Sequence, residues 1–146
     1  MARFSKVLLA LDLESCSGNL IDRVLQTCVE EFAAIHVVHV VRKSMCDLSE
    51  LHSKQGLAPH ARRDIDHMML RLRDLLRSHG LIIPSTNLHI RFGEPAAEIK
   101  RLGKELQADL LIVGSQNKGE QWLPLPGPTT NCVLQGSTAD VMAIRV

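Results

Sequence analysis

The sequence predicts an α/β domain: an open parallel sheet with helices packed on both faces. Two observations carry that expectation. Short, almost wholly apolar runs recur along the chain: "KVLLAL" (6–11), "IHVVHVV" (35–41), "NLHIRF" (87–92), "DLLIVG" (109–114) and "ADVMAIRV" (139–146). Runs of this length and composition suit parallel strands buried on both faces. Between them lie segments whose apolar residues recur every three or four positions, the spacing of an amphipathic helix. Strands alternating with helices imply a parallel sheet covered on both sides, and right-handed crossovers leave only a few topologies for it.

Each element has its own local justification. After the first run comes Asp12, then the polar loop "LESCSG" with Ser17 as a candidate helix N-cap. Leu20, Ile21, Val24, Leu25, Cys28 and Phe32 mark the inward face of the first helix. Following the second run, "RKSMCDLSELHSKQGLA" has no clean period and reads as a long loop. Pro59 suits the first turn of the next helix, whose apolar stripe is Ile65, Met68, Met69, Leu72, Leu75 and Leu76. Gly80 is placed to cap it, and Arg77 and His79 suit the negative end of its dipole. "GEPAAEIKRLGKEL" opens a third helix with Pro95 in its first turn and Ile99, Leu102 and Leu106 inward. A short helix is expected around Thr129 to Gln135, before the last strand.

With 146 residues and 45% of them hydrophobic, the chain is long enough and apolar enough for one domain with its own core. Three Phe, one Trp and no Tyr leave that core to Leu, Val, Ile, Met and Ala, and leave no aromatic platform for stacking single-stranded bases. The net charge is +1, and the densest basic segment, "HARRDIDHMMLRLRDLLR", is diluted by Asp64, Asp66 and Asp74. Nucleic acid is therefore not the expected partner. Cys16, Cys28, Cys46 and Cys132 form no C-x-x-C pair and suggest neither a zinc site nor a disulfide framework. Free thiols and an N-terminal apolar run too short to span a bilayer point to a cytoplasmic protein without a membrane partner.

In open parallel sheets ligands bind at the carboxyl ends of the strands, near the switch in strand order. Here that brings forward Asp12, Val40, Gly93, Gly114 and the loop after it. Asp12 has two open readings: a partner for a ribose hydroxyl, a phosphate-bound metal or a phosphoryl group, or an acidic loop residue near a helix N-terminus. A phosphoacceptor receiver domain would need an Asp at the end of the third strand and a Lys at the end of the fifth. "RFGEP" and "AIRV" supply neither. The chain has no G-x-x-x-x-G-K-[ST] or G-x-G-x-x-G, and "GSTAD" and "GSQN" are not nucleophile elbows. His60, Asp64 and His67 share one helix face, away from the apolar stripe, which reads as solvated surface rather than a metal centre. His36 and His39 fall on opposite faces of a strand and read as packed, hydrogen-bonded residues. The expected metal content is none.

Taken together, "KVLLALD", "IHVVHVV", "GEPAAEI" and "ADLLIVGS" resemble the universal stress proteins, in order and position, over essentially the whole chain, 1–146. That resemblance implies one domain with a five-stranded parallel sheet in order 3-2-1-4-5. It also implies a stress-response function without catalysis. Members that bind ATP carry a loop after the fourth strand of the form G-x-x-G, nine residues, then G-[ST]. Laid on "GSQNKGEQWLPLPGP" (114–128), the pattern puts its glycines at Gly114, Asn117 and Gly127, and its hydroxyl position at Pro128. Asn tolerates positive φ better than other non-glycine residues but crowds a close phosphate. Proline has neither an N–H nor a hydroxyl to offer a phosphate at a helix N-terminus. Thr129, Thr130 and Lys118 are near enough in sequence to replace part of the lost donor set. The resemblance also matches Asp12 to an acidic position near ribose and phosphates, and Val40 to one whose backbone faces adenine. A plain core valine fits position 40 as well.

The expected activity is a stress-response protein with no enzymatic function and weak or no ATP binding, acting through unidentified protein partners. An ATP-binding switch is the alternative, and no cofactor is required. An adenylating enzyme would need an S-G-G-x-D-S-type pyrophosphate signature, which is absent from the sequence. The last strand, Val141 to Val146, would be an apolar sheet edge with only Asp140 and Arg145 to protect it. Pairing with a second copy about a two-fold axis would cover that edge, as family precedent also implies, so a homodimer is expected.

Overall fold

The computed structural model describes residues 3–13, 17–27, 34–42, 52–53, 56–57, 59–115 and 132–145. Five strands form the main sheet: β1 (Val7–Ala10), β2 (Ile35–Arg42), β3 (Leu88–Gly93), β4 (Leu110–Ser115) and β5 (Asp140–Arg145). All neighbours pair in parallel, in the order β3-β2-β1-β4-β5, which is 3-2-1-4-5. Each strand lies within a residue or two of its apolar run. Helix α1 spans Ser17–Thr27, α2 Pro59–Ser78 and α3 Pro95–Leu106. Residues 132–134 are also helical, within the short helix expected before the last strand.

Two details depart from the sequence expectation. Ser17 is the first residue of α1 rather than the residue before it, a one-position difference at an end where helices fray. The stretch read as a structureless loop contains a two-stranded antiparallel ladder, His52↔Leu57 and Ser53↔Gly56. Two-residue strands are too short to leave an alternating pattern, so the sequence carries no sign of them.

The sheet separates two apolar layers. On one face Val7, Leu9, Val37, Leu88, Leu110, Ile112 and Ile144 pack with Leu20, Ile21 and Val24 of α1 and Leu72 and Leu76 of α2. On the other, Leu8, Val38, Leu111 and Val113 pack with Ala96, Ile99 and Leu102 of α3, and with Val133. Burial on both faces explains why the strands read as continuous apolar runs rather than alternating ones. Among the described residues the buried hydrophobic core is aliphatic throughout.

Helix ends are fixed by their own chemistry. Gly80, at φ +84°, closes α2: its N–H donates to Arg77 O at 3.0 Å, and the Leu81 N–H reaches back to Leu76 O at 2.9 Å. That pair of bonds satisfies the last carbonyls and turns Leu81 onto the core. Gln107, also left-handed (φ 55°), closes α3 in the same way, with the Ala108 N–H on Gly103 O at 2.9 Å. Pro95 is in the first turn of α3, where its missing N–H costs nothing.

Candidate functional site

At the carboxyl ends of the strands the sheet order changes direction. The chain leaves β1 for β2 on one side, while β4 lies on the other, and the crevice between them is where such sheets hold ligands. Asp12 follows β1 and Gly114 lies near the end of β4, and the register Leu9↔Ile112 brings both to this end of the sheet. Asp12 is exposed and Gly114 half-buried.

The short segment presenting Asp12 is held from three directions. The Leu11 N–H donates to Val38 O at 2.9 Å, carrying the β1–β2 ladder one residue past the strand. His39, only 4% exposed, places Nδ1 3.3 Å from both the Leu13 N–H and the Leu11 carbonyl. One nitrogen fills one role at a time. It accepts from Leu13 when the proton is on Nε2 and donates to Leu11 when it is on Nδ1. Arg71 of α2 donates to Leu13 O at 3.5 Å. The sequence placed His39 correctly as a packed, hydrogen-bonded residue, but its partners 26 and 28 positions away have no local signature.

Val40 lies opposite Arg91 in the β2–β3 ladder, and its half-buried side chain joins the core beneath α3. Gly93 ends β3 at φ +140°, a conformation nearly exclusive to glycine. A Cβ there would meet Glu98 Cγ at 3.2 Å and Oε1 at 3.3 Å, so the turn into α3 needs glycine on two counts. Glu98 is itself buried and pairs with Arg101. Arg42 and Glu94 form a 3.5 Å ion pair across the ends of β2 and β3. Both are largely exposed, so the pair adds little stability.

Asn117, Gly127, Thr129 and Thr130, together with Lys118, Trp122 and Pro128, lie outside the described residues. So do Cys16, Cys28 and Cys46, while Cys132 is free and exposed. Asp64 and His67 are exposed, in keeping with a solvated helix face. Among the described residues, no cluster of three or more His, Cys, Asp or Glu could hold a metal ion. No helix among them is long and apolar enough to cross a membrane. A cleft between α3 and residues 136–139 lies at the opposite end of the sheet from Asp12. Lys100, Lys104, Gly136 and Thr138 help line it. Its volume of ≈ 10 Å³ admits a water molecule but not a nucleotide.

The strand order, the parallel pairing and the helices around the sheet define the class: a single-domain α/β protein with an open, five-stranded parallel sheet. The family model of the universal stress protein family matches residues 3–145, and the chain belongs to that family. Universal stress protein A homolog 2 of Coxiella burnetii is 29% identical over 152 residues, covering 100% of this chain and 98% of that protein. A universal stress protein solved in complex with cAMP superposes with a TM-score of 0.63 at 20% identity, over 99% of this chain and 98% of that one. An Arabidopsis thaliana family protein with AMP bound gives 0.57 at 18% identity, over 97% and 90%. At these identities the two structures establish the shared fold.

Proposed function

We propose that this chain acts in a stress response as a non-enzymatic homodimer that works through protein partners and binds ATP weakly or not at all. The observation that carries the reading is in "GSQNKGEQWLPLPGP": the loop keeps its length and two of its three glycines, but has Asn117 at the other glycine position and Pro128 at the hydroxyl position. The change in strand order between β1 and β4 is where sheets of this kind hold ligands, whereas the loop lacks an N–H and a hydroxyl where phosphate would be held. Each missing charge-assisted hydrogen bond is worth about 1.5–3 kcal/mol, or roughly ten- to a hundredfold in affinity. The dimer would form through β5, which among the described residues is an edge strand with no other strand on its outer side.

A second reading, an ATP-binding protein switching on its nucleotide state, rests on Asp12 and Gly114 at the crevice and on relatives solved with cAMP and AMP. One experiment separates the two. Freshly purified protein is denatured, the supernatant is assayed for adenine nucleotide, and ATP is titrated into the nucleotide-free form. The favoured reading expects none co-purified and no saturation below millimolar ATP. It also expects the pair Asn117→Gly with Pro128→Ser to tighten binding by at least tenfold. Stoichiometric nucleotide, or low-micromolar binding by the unmodified chain, would overturn the favoured reading and make Thr129 and Thr130 the replacement donors.

A further inference from the structure

At the end of the sheet away from the crevice, two histidines meet. His36 Nδ1 and His89 Nε2 are 3.0 Å apart, with the rings stacked at a centroid distance of 5.3 Å and an angle of 24°. They join the start of β2 to the start of β3, which among the described residues is a sheet edge paired only with β2. Next to them the Asn87 side chain donates to Ile35 O at 3.1 Å. We propose that the His36–His89 pair is an acid-released clasp, which holds the start of edge strand β3 against β2 at neutral pH and lets it go when both rings are protonated.

A hydrogen bond between two imidazole nitrogens needs one N–H and one lone pair. Two neutral rings meet that requirement. A first proton can settle on the outer nitrogen of the donor ring and leave the bond intact. A second converts the acceptor into another N–H, so two donors face each other 3.0 Å apart on two stacked cations. The neighbours work against that second proton. Lys6 faces the pair from just before β1, Arg91 from β3 and Glu105 from α3. Glu105, the one acid among them, is bound to Arg91 at 2.6 Å.

Burial, then Lys6, holds the His36 ring below the ordinary histidine value. Burial, His36 and Arg91 hold His89 below it, with Glu105 pulling the other way. The sign follows from linkage. The unfolded or opened chain takes up protons near the ordinary value of about 6.5, and the closed pair resists until lower pH. The clasp's contribution is therefore complete at neutral pH and is lost as pH falls through the lowered values. Opening would stay local, because β2 keeps its ladder to β1, from Val7↔Ile35 to Ala10↔Val38. The released edge would show unpaired backbone groups able to take another strand.

Residue-resolved amide exchange on the intact chain, corrected for intrinsic rates, tests this between pH 7.5 and 5. Protection of Leu88–Gly93 should fall several-fold, as the opened strand takes up protons that the closed pair resists, while Leu110–Ser115 holds. His89→Gln keeps a side-chain amide donor for His36 Nδ1 but carries no titrating charge, so its edge strand should hold at both pH values. Equal loss in the variant, or no loss in the wild type, would overturn the clasp. If the variant does not fold, ring-nitrogen NMR of the wild type decides. Two coupled steps, both below the ordinary value, support the clasp; independent titration of both rings at that value overturns it.

Discussion

Replacing Gly93 with alanine isolates the local geometry on which the turn into α3 depends. At φ +140° an L side chain costs about 1–3 kcal/mol. The new Cβ would stand 3.2 Å from Glu98 Cγ, tighter than most real contacts. Glu98 has little room to move, being buried and paired with Arg101. Against this, alanine narrows the unfolded ensemble and returns about 0.4–1 kcal/mol. The balance is a net loss of about 1–3 kcal/mol, or roughly 2–4 °C in Tm per kcal/mol for a domain of this size. Urea unfolding followed by circular dichroism should show a lower midpoint with an unchanged slope. Adding Glu98→Ala removes the contacting atoms and leaves the backbone strain, so the double variant should recover only the contact part. A Gly93→Ala variant within about 0.5 kcal/mol of wild type, inside the usual range for uneventful surface changes, would refute the account of this turn.

Leu72→Ala, at a fully buried position between α2 and the sheet, should cost about 3–4 kcal/mol by the same assay. Asp109 accepts the Ser5 and Lys6 N–H groups at 2.8 and 2.9 Å, tying the start of the chain to the base of β4. Burial pushes its carboxyl up, but those N–H groups outweigh burial and hold it below the ordinary carboxylate value. Asp109→Asn should therefore cost about 1 kcal/mol at neutral pH after screening. Because the group's folded value is lowered, its contribution is complete above the ordinary carboxylate value and fades as pH falls through the lowered one; the wild-type and variant stabilities should then converge. Ala143→Glu puts a charge at an exposed site on β5, so the monomer should lose under about 0.5 kcal/mol. Sedimentation should nevertheless show the proposed dimer weakened, because two-fold pairing sets like charges near each other.

Much of the fold was legible because its signals are local. Apolar runs found each strand of the main sheet to within a residue or two, Pro59 and Pro95 found two helix starts, and Gly80 found a helix end that does take positive φ. The candidate site was legible in part. Asp12, Val40 and Gly114 fall at the carboxyl ends as expected, while Asn117, Gly127, Thr129 and Thr130 belong to a loop beyond the described residues. The two-stranded ladder at 52–57 stayed hidden because strands of two residues have no periodicity to read.

By itself, the sequence determined the layered α/β class, the aliphatic core, the alternation of elements and the altered glycine loop. All of these are written in neighbouring residues, through periodicity, backbone permission and side-chain chemistry. Tertiary structure alone decided which distant groups meet: His39 with the backbone of Leu11 and Leu13, His36 with His89, Asp109 with Ser5 and Lys6, Glu98 over Gly93. Except for Glu98 over Gly93, these contacts join groups more than twenty positions apart. They exist because parallel strands bring separate segments side by side, and no short-range pattern in the chain encodes which residue will stand opposite which.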